Sequence, residues 1–228
     1  MVCRAVRKVH DQIAASPRPH LPLIWSEFNA SYMNEPDVTD STYMGPWMAD
    51  TIRQCDGLVD MMSYWTFSDV FEEQGVVKRP IYGGYGLIAA DDLPKPAFNA
   101  FKLLHRLGET RIPVNADDAI ATRRADGAIV IALWNTPVIG GGGEPKEVVL
   151  QLNSLKGRQR ATVYRVDADH GSLLKTYASM GSPAYPTPAQ ILTLRQASQL
   201  PTPETFAIRN GQIALRLAPD ALVLIEVR

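Results

Sequence analysis

Glu27 closes a short apolar run, Leu21 to Phe28, and a carboxylate in that place could serve as a nucleophile. A strand buried in a parallel sheet reads as such a run. Barrel enzymes gather their reactive groups at the C-terminal ends of such strands. An ionised carboxylate there can attack an anomeric carbon and form a glycosyl ester. The competing reading is a strand-end glutamate paired with an arginine, and position alone does not separate the two. Met61 to Phe67 is a second run of the same kind, carrying Trp65 and Phe67. A tryptophan ring offers a flat apolar face to the C–H face of a pyranose and excludes water from the bond being cut. On spacing alone, core filling is the plainer use of both rings. Asp69, Glu72 and Glu73 follow. Ionised carboxylates each accept several hydrogen bonds, which suits sugar hydroxyls, although a solvated acidic loop has the same composition.

Other chemistries find less support. Asn34-Glu35-Pro36 is a tripeptide associated with the general acid of many barrel glycosidases, yet here it lies in the loop after Glu27. The two carboxyls of a retaining pair stand about 5–5.5 Å apart. A dedicated strand end holds such a distance more rigidly than a loop, so Glu35 is the weaker candidate for an acid. The histidines show no HExxH or other ligand spacing, and no metal is expected. No serine occupies a G-x-S-x-G elbow. Gly140–Gly143 is followed by Glu144-Pro145 rather than by Lys-Ser/Thr and a helix, and reads as a hairpin tip. Gly83-Gly84-Tyr85-Gly86 lacks the strand–turn–helix setting of a dinucleotide fingerprint, so no cofactor is expected. Cys3 and Cys55 read as two separate buried or free thiols, since so sparse a pair makes no disulfide framework.

These residues must be positioned by a chain of 228 residues, enough for one large core or two modest ones. Hydrophobic residues make up 46% and charged residues 21%, the balance of an ordinary globular protein. A net charge of -1, from 23 basic and 24 acidic residues, gives no electrostatic case for nucleic acid or an anionic membrane. No apolar stretch is long enough to span a bilayer, and the N-terminal sixteen residues are too charged for a signal peptide.

Val6, Val9, Ile13 and Ala14 predict a helix over residues 4–15, ended by Pro17 and Pro19. A second helix is predicted from Ser41 or Pro46 to Asp56, with Gly57 as its left-handed cap. Both apolar runs are expected to be strands buried on two sides. Pro94 and Pro96 open a third helix, with Phe98, Phe101, Leu104 and Leu107 on one face and Gly108 as its stop. Helix, strand, helix, strand, helix is the rhythm of a βα barrel, of which only two of the eight strands fit here. After Arg111 the texture is β-rich. Hairpins are expected around Asp126-Gly127 and around Asn210-Gly211. Further strands are expected at Lys146–Leu152, Ala161–Val166, Ser172–Tyr177 and Ala221–Val227. Thr187-Pro188-Ala189-Gln190 is a capping box that starts a helix running to about Ser198. The strand spacing suggests a β-sandwich, with a boundary near residue 110.

WSEFNASY, SYWTFSDVFEE and YGGYGLIAADDLPKPAFNAFKLLHRLGE together resemble glycoside hydrolase family 39, and within it the β-xylosidases. The resemblance is continuous from about Leu21 to Gly108. It implies the C-terminal part of a (β/α)8 barrel, helix 6 to helix 8, over residues 1–110, followed by a β-sandwich accessory domain over 111–228. It implies retaining hydrolysis of β-xylosides or short xylo-oligosaccharides, with Glu27 as nucleophile and Trp65, Glu72 and Glu73 binding the sugar. The family's acid/base belongs to an Asn-Glu-Pro far upstream of this first residue, so Asn34-Glu35-Pro36 is not its equivalent. Relatives have His-Asp where this chain has Thr39-Asp40. The expectation is therefore a weak or inactive hydrolase when isolated, prone to self-association through exposed barrel strands. The alternative is a non-catalytic module that binds carbohydrate or a partner chain.

Overall fold

A computed structural model of the protein describes residues 2–71, 75–136, 139, 143–152, 160–208 and 210–228. The chain opens with α1 (Val2–Ala14), β1 (Ile24–Phe28), α2 (Pro36–Thr39), α3 (Met44–Cys55) and β2 (Met61–Tyr64). Gly57 follows α3 at φ 75, the left-handed conformation its place predicted. β1 and β2 pair in parallel, the pairing that a helical crossover such as α2–α3 permits. Two residue pairs, β3 (Ile88–Ala89) and β4 (Leu93–Pro94), form a small ladder ahead of α4 (Pro96–Leu104).

The β-rich region holds β5 (Thr110–Ile112), β6 (Ala119–Arg123), β7 (Ile129–Trp134), β8 (Lys146–Gln151) and β9 (Arg160–Val166). After α5 (Leu174–Ser179) and α6 (Pro188–Ala197) come β10 (Glu204–Ala207), β11 (Gln212–Leu217) and β12 (Leu222–Val227). Six strands form one antiparallel sheet in the order β10-β9-β12-β7-β6-β5, and β11-β8 form a second. In β11, Ile213, Leu215 and Leu217 are buried while Gln212, Ala214 and Arg216 are exposed, so this pair covers the larger sheet with one face. The opposite face of the larger sheet packs on α3 and α4: Met44, Met48, Ala100 and Leu103 share one cluster with Ile120, Val130, Leu222 and Leu224. β12 is covered on both sides, which is why LVLIEV is nearly unbroken apolar sequence and buried throughout. Its exception, Glu226, is 4% exposed and bonds Arg106 Nε at 2.8 Å and Arg124 Nη1 at 3.0 Å.

Four expectations need correction. Cys3 and Cys55 are not separate thiols but a disulfide, with Cα atoms 5.2 Å apart. The start of α1 meets the end of α3, and one bridge needs only that meeting, not a framework. Ser172–Tyr177 lies not in a strand but across the start of α5, where Leu173 and Tyr177, one helical turn apart, bury against Leu194 of α6. Asn210-Gly211 does turn the chain, with φ of 51 and 69. Its flanking strands do not make a hairpin, because β10 pairs with β9 and β11 with β8. Finally, β1 and β2 are not buried on both sides: Ile24 and Met61 are each 58% exposed. Among the described residues these two strands pair only with each other.

Candidate active site

Glu27 stands at an irregularity in the β1–β2 pairing. Trp25 lies opposite Met62 and Phe28 opposite Tyr64, so three steps along β1 match two along β2. The extra residue falls within Ser26–Glu27. A bulge re-aims the side chains it contains. Trp25 packs on the helix side with Leu58 and Met62, and Phe28 is buried between Trp47 and Tyr64 at ring distances of 5.9 and 5.8 Å. Ser26 and Glu27 are exposed on the other face. The local sequence alternates poorly because both aromatic residues must reach the helices, and the bulge makes that possible.

Trp65 directly follows β2. Its backbone N–H donates to the carbonyl of Phe28 at 3.0 Å, which places it at the same strand end as Glu27. The Trp65–Thr66 peptide is cis. The ring is half-buried and meets Phe71 edge-on, with centroids 5.4 Å apart. Asn29 ties the two strand ends together. Its amide donates to the carbonyls of Trp65 and Tyr85, the latter at 3.2 Å, and its side-chain oxygen accepts from Ala30 N–H at 2.6 Å. Glu72 and Glu73 lie outside the described residues. Glu35 opens α2, and its carboxylate accepts a hydrogen bond from the Ser31 hydroxyl.

Sequence reasoning gave Asp69 a solvated loop and made little of Asp40 and Lys95. The structure buries all three: Lys95 is 0% exposed, and each aspartate 1%. Lys95 Nζ stands 3.0 Å from Asp69 Oδ2 and donates to the Gly84 carbonyl at 2.7 Å. It lies 2.5 Å from Asp40 Oδ1, an ion pair without hydrogen-bond alignment. Backbone N–H groups complete the cluster, Gly83 donating to Asp40 Oδ2 and Gly86 to Asp69 Oδ1 at 2.6 Å. Removing one partner from such a buried group costs about 3–5 kcal/mol. Burial pushes the Asp69 carboxyl up to about 6 against the pull of Lys95, with Asp40 adding to the rise. Burial also raises Asp40, again against Lys95.

This cluster explains the glycine run that resembled a poor nucleotide fingerprint. A Cβ on Gly84 would fall 2.4 Å from the Asp69 carboxyl carbon, and one on Gly86 would fall 2.3 Å from Asp69 N. The glycines are there for close approach. The signals legible in sequence were Lys95 held between Pro94 and Pro96, and three glycines within four residues.

Elsewhere, a cleft of about 760 Å³ opens between β8 and the β6–β7 face. Its lining is mostly aliphatic and includes neither Glu27 nor Trp65, so it lies apart from the candidate chemistry. Among the described residues no group of histidine, cysteine and carboxylate side chains could hold a metal ion.

The chain as a whole resembles known proteins. Residues 2–212 match the profile of Glycosyl hydrolases family 39. A β-xylosidase of Geobacillus stearothermophilus is 34% identical over 97% of this chain and 44% of its own length. One from Caldicellulosiruptor saccharolyticus is 29% identical over 91% of this chain and 45% of its own length. The crystal structure of a monomeric β-xylosidase from Caulobacter crescentus superimposes with a TM-score of 0.87 at 30% identity, covering 100% of this chain and 49% of that one. The chain thus spans somewhat less than half the length of the relatives it matches.

Proposed function

This chain belongs to glycosyl hydrolases family 39, and on that premise we propose that it is the downstream part of a retaining β-xylosidase. In this reading residues 1–110 are the closing part of a (β/α)8 barrel and residues 111–228 its β-sandwich accessory domain. The parallel β1–β2 pair, exposed on the face that bears Glu27, supports the first assignment. Two sheets packed face to face support the second.

The observation that carries the mechanism is Glu27, exposed at the bulged end of β1, with Trp65 at the same strand end. Glu27 attacks C1 of the xylosyl group while the departing oxygen takes a proton from a glutamate outside this chain. Water then cleaves the ester, with that glutamate as base. Trp65 stacks on the sugar ring, and Glu72 and Glu73 accept from its hydroxyls. Glu35 keeps its helix-opening place and its bond from Ser31. Without the acid/base, turnover by the chain alone should fall by about 10²–10⁴-fold, before the missing binding surface is counted.

The test avoids the missing acid. A 2-deoxy-2-fluoro-β-xyloside with a dinitrophenolate leaving group departs without protonation and leaves its sugar on the nucleophile. Peptide mass spectrometry should find the xylosyl ester on Glu27 and none in a Glu27→Gln chain. An ester on Glu35 or Asp69 would overturn the assignment. Saturable xylose binding with no ester on any residue would point instead to a binding module.

A further inference from the structure

Four segments around the strand ends meet at one buried ammonium. Asp40 follows α2, in the connection from β1. Asp69 lies four residues after Trp65, in the loop that leaves β2. Gly84 belongs to the glycine segment, and Lys95 itself is the N-cap of α4. The loop of Trp65 is also laced to its neighbours by backbone bonds: Thr66 N–H to the Tyr85 carbonyl at 3.0 Å and Asp69 N–H to that of Ile88 at 2.8 Å. The Tyr82 hydroxyl donates to the carbonyl of Asp69 at 3.1 Å. On the other side, the Asn34 amide donates to the Gly83 carbonyl at 3.1 Å.

We propose that Lys95 is a positioning residue: clamped between Asp40 and Asp69, it locks the loop that carries Trp65 against the connection after β1. The value of that placement for a sugar substrate rests on the glycosidase reading, but the clamp itself does not. Two carboxylates share one ammonium, so full ionisation leaves a net negative charge on groups that are at most 1% exposed. Taking up one proton relieves that charge and weakens the hold of Lys95 on the loop. Clamp and platform are therefore coupled through protonation.

The chain holds four tryptophans, and the indole N–H signal of Trp65 in a ¹⁵N-labelled sample is identified by its loss in Trp65→Phe. Followed against pH without any sugar, that signal should shift with a midpoint near 6, where Asp69 titrates. Among the described residues the titratable groups facing the clamp are Asp40, Lys95, Tyr64, Tyr82, Tyr85 and, toward Asp40, Tyr177; burial, then Asp69 and Asp40, raise the Tyr82 phenol to about 12, far from this window. Asp69→Asn should flatten the profile, and Glu27→Gln should leave it intact. Should Asp69→Asn fail to fold, Asp40→Asn serves: loss of the like charge must move the midpoint down. A purely structural clamp would lower the melting temperature of these variants and leave the Trp65 signal flat in the parent chain. A flat parent profile, an unchanged profile in Asp69→Asn, or an unmoved midpoint in Asp40→Asn would each overturn the proposal. Failure of xylosyl labelling at Glu27 would not, because no substrate enters this measurement.

Discussion

The carboxylate of Asp220 sits in the turn between β11 and β12 at φ 56, with Oδ1 buried and no hydrogen-bond partner among the described residues. Burial alone pushes it from 3.8 up to about 6. A carboxyl raised in the folded state favours folding below its unfolded pKa, and that contribution is lost as pH rises through about 6. Asn tolerates the left-handed conformation and carries no charge to bury. Asp220→Asn should therefore stabilise the chain by about 1–2 kcal/mol near pH 8, after discounting for partial exposure. The gain should close near pH 4, as urea unfolding at the two pH values would record; equal gains at both would refute it. Asp69 is also raised but shares its proton with a pair, so the indole titration suits it better than a stability measurement. The same contrast marks what was legible at this scale. Glu27 and Trp65 could be put at strand ends from the sequence, although position alone left Glu27 open to an arginine pair and spacing left Trp65 open to core filling. The place of Asp69 could not be read, because a buried clamp and a solvated acidic loop have the same local composition, and only the return of Lys95 from the far end of a glycine segment tells them apart.

Elements were legible where their signals are local. The Thr187 capping box forms as its sequence dictates, Gln190 N–H reaching the Thr187 hydroxyl and the Gln190 side chain returning the bond. Gly127, at φ 85, turns β6 into β7. Signals that depend on partners were misread. Asn210-Gly211 has the chemistry of a hairpin turn, but the pairing of β8 with β11 sends its two arms into different sheets. β1 and β2 have the composition of strands covered on both sides and are covered on one. The disulfide is the extreme case: its cysteines are 52 residues apart, and only the docking of α1 on α3 joins them. Cross-linking a loop of this length contributes about 2–4 kcal/mol by restricting the unfolded chain. Reduction, or Cys55→Ser, should lower stability by that amount and raise amide exchange in α1 before the β-rich sheets respond. Unchanged protection of α1 after reduction would show that packing of Val6 and its neighbours holds the helix by itself.

At the scale of the molecule, α3, α4 and the six-stranded sheet share one hydrophobic cluster that joins the helical and β-rich regions. Met48 and Leu103 pack with Val130 and Leu224, and Arg106 of the segment after α4 reaches across to Glu226 of β12 and to the Tyr164 hydroxyl. The helix side of β1 and β2 is thereby satisfied, and the cost falls on the other side. Ile24 and Met61 are each 58% exposed at the paired starts of two strands, with Leu21 before β1 at 51% and Phe67 after β2 at 67%, and the outer strand edges are unpaired among the described residues. Clustered apolar side chains beside open strand edges are a template for association. The chain made alone should therefore self-associate as its concentration rises, which sedimentation velocity would show as a growing weight-average mass. Ile24→Lys with Met61→Lys should suppress that growth without disturbing the six-stranded sheet, since neither residue contributes to its core. A chain that stays monomeric at all concentrations would mean that this face is covered from within. The exposed strands would then be no docking surface for the upstream barrel half proposed above.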